Sequence, residues 1–114
     1  MEFTEEIYKI TGILPREENC GLISQLRRAA VSVPSDIAEG YSRASRKDYL
    51  IFLSVAMGSL AEAQTQLLIC ERIGYISNED LLPAMGLADE IGKMEHTIIR
   101  KLSVSNSKTL SPKP

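Results

Sequence analysis

Between Tyr49 and Cys70 the residues Tyr49, Leu53, Ala56, Leu60, Ala63, Leu67 and Cys70 alternate steps of four and three. That spacing lines one face of an α-helix and no face of a strand, so it predicts a helix of about three heptads packed against other helices. Ser45 with Asp48 three positions on supplies an N-terminal cap. Gly74, just past Ile73, supplies the stop. At 1.5 Å per residue such a helix spans roughly 40 Å, and the rest of the chain has to cover it.

Three further segments carry matching seams. Leu22, Leu26, Ala29, Val33, Ile37 and Gly40 repeat the four-and-three step on a helix that opens near Cys20 or Gly21. Pro34 lies inside that pattern, where it removes one backbone bond and costs about 3 kcal/mol. The apolar register runs through it unbroken, which predicts one kinked helix rather than two. Ser77 and Asp80 form a capping signature, with Ile76 placed to staple onto Leu81. Ala84, Ala88, Ile91, Ile98 and Leu102 then hold the seam, widened by Met94 and Ile99. Pro83 suits a first turn, which would start this helix a few residues beyond its cap. Phe3, Ile7 and Ile10 mark a short first helix over 1–12 that Gly12 ends, joined to the second by a connector with Pro15 and the charged turn Arg16-Glu17-Glu18. The expected fold class is all-α: an up-and-down antiparallel four-helix bundle with a short first helix and a Pro-kinked second one. It should occupy residues 1–102 as one domain, followed by a polar, disordered C-terminal tail over 103–114.

Composition narrows the function. A net charge of −2 and 25% charged residues do not make a chain that is basic as a whole, so only a local patch could hold nucleic acid. The opening Met1-Glu-Phe-Thr-Glu-Glu is acidic where a secretory signal needs positive charge. No apolar run approaches the roughly 20 residues of a membrane span. The expectation is a cytoplasmic chain with no membrane partner. Cys20 and Cys70 stand alone and read as reduced thiols, Cys70 in the core. His96 is the sole histidine. There is no Gly-rich phosphate loop, no Glu-x-x-His pattern of di-iron bundles, and Asp36 with Glu39 reads as a solvated face. No catalytic, cofactor or metal site is expected, and no enzymatic activity.

Two polar features stand out. Gln25, Arg28, Ser32, Ser35 and Glu39 form a row on the second helix beside its seam, and Ser59, Glu62 and Gln66 form another on the third. Antiparallel helices turning near Arg43 would set Gln25 near Glu62 and Arg28 near Ser59, within a turn of Glu62. These rows are either ordinary exposed faces or a polar interface between helices or subunits, in which the Arg28 fork meets the Glu62 carboxylate. At the corner, Arg43, Arg46 and Lys47 cluster between Tyr41 and Tyr49. The group either keeps the corner hydrated, with Tyr49 in the core, or serves as a nucleic-acid contact of cations and rings. The first helix, rising about 18 Å against roughly 40 Å for the third, should leave Phe52, Leu53 and Val55 in an uncovered register. A neighbouring subunit, the tail, or chain upstream of Met1 would fill that groove.

The run Gln25-Leu-Arg-Arg-Ala-Ala-Val-Ser-Val-Pro-Ser-Asp-Ile-Ala-Glu-Gly-Tyr41, followed by Ser45-Arg-Lys-Asp-Tyr-Leu50 and Gly58-Ser-Leu-Ala-Glu62, resembles the bacterial four-helix bundle proteins first noticed within intervening sequences of 23S rRNA genes. The family also carries the label S23 ribosomal protein, which comes from gene location. The resemblance extends from Met1 to about Leu102 and implies an up-and-down bundle that assembles into rings of five. A related branch, the accessory variability determinant of diversity-generating retroelements, is a pentamer that binds nucleic acid and a reverse transcriptase. This chain departs from the family in having no Trp and a first helix that starts near the middle of the usual one. The reading is therefore a non-enzymatic homo-oligomer, most simply a pentamer, scaffolding RNA or a nucleoprotein complex; the alternative is a protein–protein adaptor with no nucleic-acid role.

Overall fold

The computed structural model describes residues 1–18 and 21–110, with side chains described as far as Ser103. The elements are α1 (Glu2–Gly12), a single 3-10 turn (Arg16–Glu18), α2 (Leu22–Tyr41), α3 (Arg46–Arg72) and α4 (Asn78–Leu110). α1 packs against α2 and α4, and α3 packs against the same two from the other side. The result is the expected four-helix bundle, drawn out to 59 × 22 × 19 Å.

The caps act as their chemistry requires. Ser45 accepts a hydrogen bond from the Asp48 backbone N–H at 3.0 Å and starts α3. At the other end of that helix Gly74 takes φ +86°. The Tyr75 N–H then donates to the Cys70 carbonyl at 2.9 Å and the Gly74 N–H to that of Glu71 at 3.1 Å. That pair of bonds is the Schellman closure, and the left-handed residue it needs is cheapest as glycine. Ser77 and Asp80 exchange reciprocal bonds, Ser77 Oγ accepting from the Asp80 N–H at 3.1 Å and Asp80 Oδ2 from the Ser77 N–H at 3.2 Å. Ile76 and Leu81 are both buried beside the box, as a hydrophobic staple requires. α4 therefore starts at Asn78, where its cap dictates, and Pro83 lies inside the helix instead of opening it. α1 ends at Gly12 as expected and closes on Ile13 with no left-handed residue.

α2 runs unbroken through Pro34. A proline deprives the carbonyl four residues earlier of its N–H partner, and here that carbonyl is Ala30's. Thr4 on α1 donates its hydroxyl to Ala30 O at 3.2 Å, so the group Pro34 frees is used to attach α1. Arg27 adds a second tie. Its Nε donates to Thr11 Oγ1 at 2.8 Å and its guanidinium lies 4.5 Å from the Tyr8 ring centre. Beneath these contacts Phe3, Ile7 and Ile10 are buried with Leu26, Ala30, Val33, Leu67 and Ala84 in one continuous core. Each such large side chain contributes about 1.5–3 kcal/mol by leaving water.

Glu18 ties the connector to two helices. Its Oε1 accepts from the Leu22 N–H at 3.4 Å at the start of α2, and its Oε2 accepts from the Tyr75 hydroxyl at 2.8 Å. The carboxylate beside it raises the Tyr75 phenol above its ordinary value, and burial raises the Cys70 thiol. α4 continues to Leu110, through the first eight residues of the segment expected as a tail. Cys20 and the last four residues of the expected tail lie outside the described residues.

Candidate functional site

The two polar rows face each other only in part. Gln66 is buried and donates through Nε2 to Gln25 Oε1 at 3.1 Å. That joins α2 to α3 one helical turn from the register expected of Gln25 and Glu62. The difference arises at the corner, where Gly40, near the end of α2, already faces Tyr49 and Phe52 and the first turn of α3 projects beyond it. Ser32 and Ser59 are half-buried on the flanks. Arg28 and Glu62 are both exposed, and among the described residues they form no ion pair with each other. Glu39 is engaged elsewhere.

Its partner is Arg43, one turn on, whose Nη2 lies 2.6 Å from Glu39 Oε2. The same guanidinium stands 4.9 Å from the centre of the Phe52 ring. A cation already paired with a carboxylate and an aromatic face offers a phosphate less net charge than an unpaired one. Arg46 and Lys47 are exposed in the first turn of α3. Tyr41, 79% exposed, packs its ring edge-on to Tyr49, with centroids 6.1 Å apart at 74°. The corner thus brings the expected cations and rings together, with Arg43 paired to Glu39. Of the three residues expected to lie uncovered, Leu53 is fully buried, Phe52 is half-buried beneath Arg43, and Val55 belongs to a different face.

That face was not read from the sequence. Ile51, Val55, Gly58, Glu62, Thr65 and Ile69 step by four and three along α3, on the side opposite its core seam, and all are exposed. Ile51, Val55 and Ile69 are 52%, 50% and 43% exposed. Leu68 and Ile73 flank the row, and with Thr65, Ile69 and Arg72 they line a shallow groove of about 360 Å³. α3 therefore carries exposed apolar residues at both ends of a second face, opposite its core seam, with Gly58, Glu62 and Thr65 between them. α2 carries a counterpart: Ser24, Arg28, Val31, Ser35 and Ala38 repeat the same steps on its exposed side and offer a small-residue surface with one cation. The signal was present, since the four-and-three step occurs twice on each helix, but a search for one seam stops at the first.

Glu95 was also missed. The interval of seven between Ile91 and Ile98 skips a seam position, and Glu95 fills it. It is 3% exposed, and burial pushes its carboxyl up to about 7. Among the described residues no group of three or more His, Cys, Asp or Glu is placed to hold a metal ion. No helix among them is long and apolar enough to cross a membrane.

Comparison with known proteins places this geometry. No curated protein matches the chain. A crystal structure from Bacteroides thetaiotaomicron VPI-5482, of a protein with unknown function from the S23 ribosomal protein family, superimposes with a TM-score of 0.80 at 25% identity. The match covers 86% of this chain and 92% of that one. The profile of the 23S rRNA-intervening sequence proteins matches residues 1–97, nearly the whole bundle. The chain belongs to the 23S rRNA-intervening sequence protein family.

Proposed function

We propose that this protein is a non-enzymatic scaffold that acts as a closed homo-oligomer, a pentamer by the family resemblance, built by seating the outward face of α3 in one copy on the outward face of α2 in the next. The observation that carries this reading is the second apolar row on α3. An exposed row of Ile51, Val55 and Ile69 at heptad spacing is the seam of a helix pair whose partner lies outside the chain. The α2 face fits it in size and charge, since Ser24, Ser35 and Ala38 admit close approach and Arg28 is the cation opposite Glu62.

Height matters as well. Gln25 bonding Gln66 sets Arg28 of α2 level with the Glu62 turn of α3 within one chain. A ring whose axis runs along the bundle keeps every residue at its own height from copy to copy. Arg28 of one copy then meets Glu62 of the next, which accounts for both being left without each other inside the chain. Unlike faces meeting head to tail generate such a ring when the rotation closes.

An RNA site would be Arg43, Arg46 and Lys47 with Tyr41, repeated in each subunit, but the Glu39–Arg43 pair already reduces the charge there. We therefore favour a protein-assembly scaffold over a nucleic-acid clamp. Sedimentation velocity on the wild type and on the double substitution Val55→Asp with Ile69→Asp tests the interface. The wild type should sediment as one closed species and the variant as a folded monomer; an unchanged oligomer in the variant removes α3 from the interface.

A further inference from the structure

Glu95 lies in the seam of α4 among Ile91, Ala88 and Ala84, and neither of its carboxylate oxygens has a hydrogen-bond partner. Buried polar atoms in folded proteins are overwhelmingly paired, and a lone charge in such a place is far costlier than a neutral group. The position can be fixed from neighbouring contacts. Gln64 Nε2 donates to Asp89 Oδ1 at 3.3 Å, and a Cβ on Gly92 would stand 3.7 Å from Leu60 Cδ2. These set Glu95 level with Met57 and Gly58 of α3. The Gln25–Gln66 bond and the approach of Gly40 to Phe52 set the same level near Pro34 of α2, and the Thr4–Ala30 bond brings the start of α1 there.

The charged and titratable groups around that level are few. α1 offers the Met1 amino group and Glu2, α2 offers Asp36, and α4 itself offers Lys93 and His96; α3 has none between Leu53 and Leu60. None of them bonds to Glu95, and burial alone accounts for its weakened acidity. The carboxyl therefore has two states of different demand. Protonated, it fits a dry seam. Ionised, it needs water.

We propose that Glu95 is a proton-operated latch: while its carboxyl is protonated α4 stays closed on the bundle, and on loss of that proton to water the end of the bundle around Glu95 opens. Opening hydrates the carboxylate and uncovers Leu53 and Ala56, which are fully buried in the closed form. The latch is separate from the α2 and α3 outward faces, so it stands whether or not those faces assemble.

Amide hydrogen exchange over Ile91–Ile99, corrected for the intrinsic base-catalysed rate, reads the opening constant directly. With the carboxyl at about 7 when closed and at the ordinary 4.5 when open, opening should increase on the order of 30-fold between pH 5.5 and pH 8 in the wild type. Glu95→Gln, which cannot ionise, should show no such increase. A wild type without the rise, or a variant with the same rise, overturns the proposal. A carbon-13 titration of the Glu95 carboxyl in the unaltered protein decides the matter independently of how the variant folds. A midpoint near 7 is expected, and one in the ordinary carboxylate range overturns the latch.

Discussion

Gly40→Ala tests how closely α2 and α3 approach at their shared corner. A Cβ built on Gly40 would stand 2.7 Å from Phe52 Cβ, 3.1 Å from Tyr49 Cδ1 and 3.4 Å from the Tyr49 carbonyl oxygen. Phe52 Cβ is fixed to the α3 backbone, so no rotamer change relieves the first contact. Carbon atoms settle about 3.5–4.0 Å apart, which requires the helices to part by roughly 1 Å. Overpacking of this kind costs about 1–3 kcal/mol. Alanine returns up to about 1 kcal/mol through its better helix propensity. The net loss should be about 1–2 kcal/mol, a fall of roughly 5–10 °C in Tm for a domain of this size. Gly86→Ala on α4 is the control, because nothing lies within 4 Å of its Cβ; it should gain about 0.5–1 kcal/mol. Thermal and urea unfolding followed by circular dichroism, at one fixed protein concentration, separates the two. A Gly40→Ala protein that melts at or above the wild type refutes the close crossing.

Three further outcomes are expected. Thr4→Val should cost about 1 kcal/mol in urea unfolding by removing the donor to Ala30 O. In a Pro34→Ala background that cost should shrink, because the restored N–H satisfies the same carbonyl; equal costs in both backgrounds would break the link. Glu95→Leu should stabilise the protein more at pH 8 than at pH 5. The folded carboxyl, raised to about 7 from 4.5, favours folding most below 4.5 and loses that advantage as pH rises through 7. The difference amounts to on the order of 3 kcal/mol, and a pH-independent gain contradicts it. Changing Arg43, Arg46 and Lys47 together to Ala should leave the melting curve nearly intact. If the corner holds RNA, the same change flattens the salt dependence of binding; an unchanged slope moves any nucleic-acid contact elsewhere.

The helix ends were legible because their signals are local. Ser45 with Asp48, Ser77 with Asp80, and Gly74 each act within four residues of themselves, so chain order is enough to find them. The seams were legible for the same reason, period being a property of one helix. What escaped depends on what stands opposite. Pro34 could be read as a defect in α2, but not as the reason Thr4 finds an acceptor. Arg43 could be counted as a cation, but its pairing with Glu39 depends on rotamers at the corner. The register between α2 and α3 came out one turn off because the corner loop does not return the chain at the level where α2 ends. Glu95 and the outer row of α3 were in plain view as exceptions to a single-seam pattern, a carboxylate where the seam needs an apolar residue and isoleucines where solvent is expected.

In the proposed ring α2 of one copy meets α3 of the next through Arg28 and Glu62. Light scattering on four proteins tests it: the wild type, Arg28→Glu, Glu62→Arg, and the double reversal in one chain. The wild type should weigh a closed multiple of the 12.6 kDa chain, five by the family resemblance. Each single reversal sets like charges against each other at every contact and should dissociate the ring. The double reversal should restore it, as a direct contact between the two residues requires. A wild type that stays monomeric at tens of micromolar, or single reversals that assemble as well as the wild type, would contradict the account.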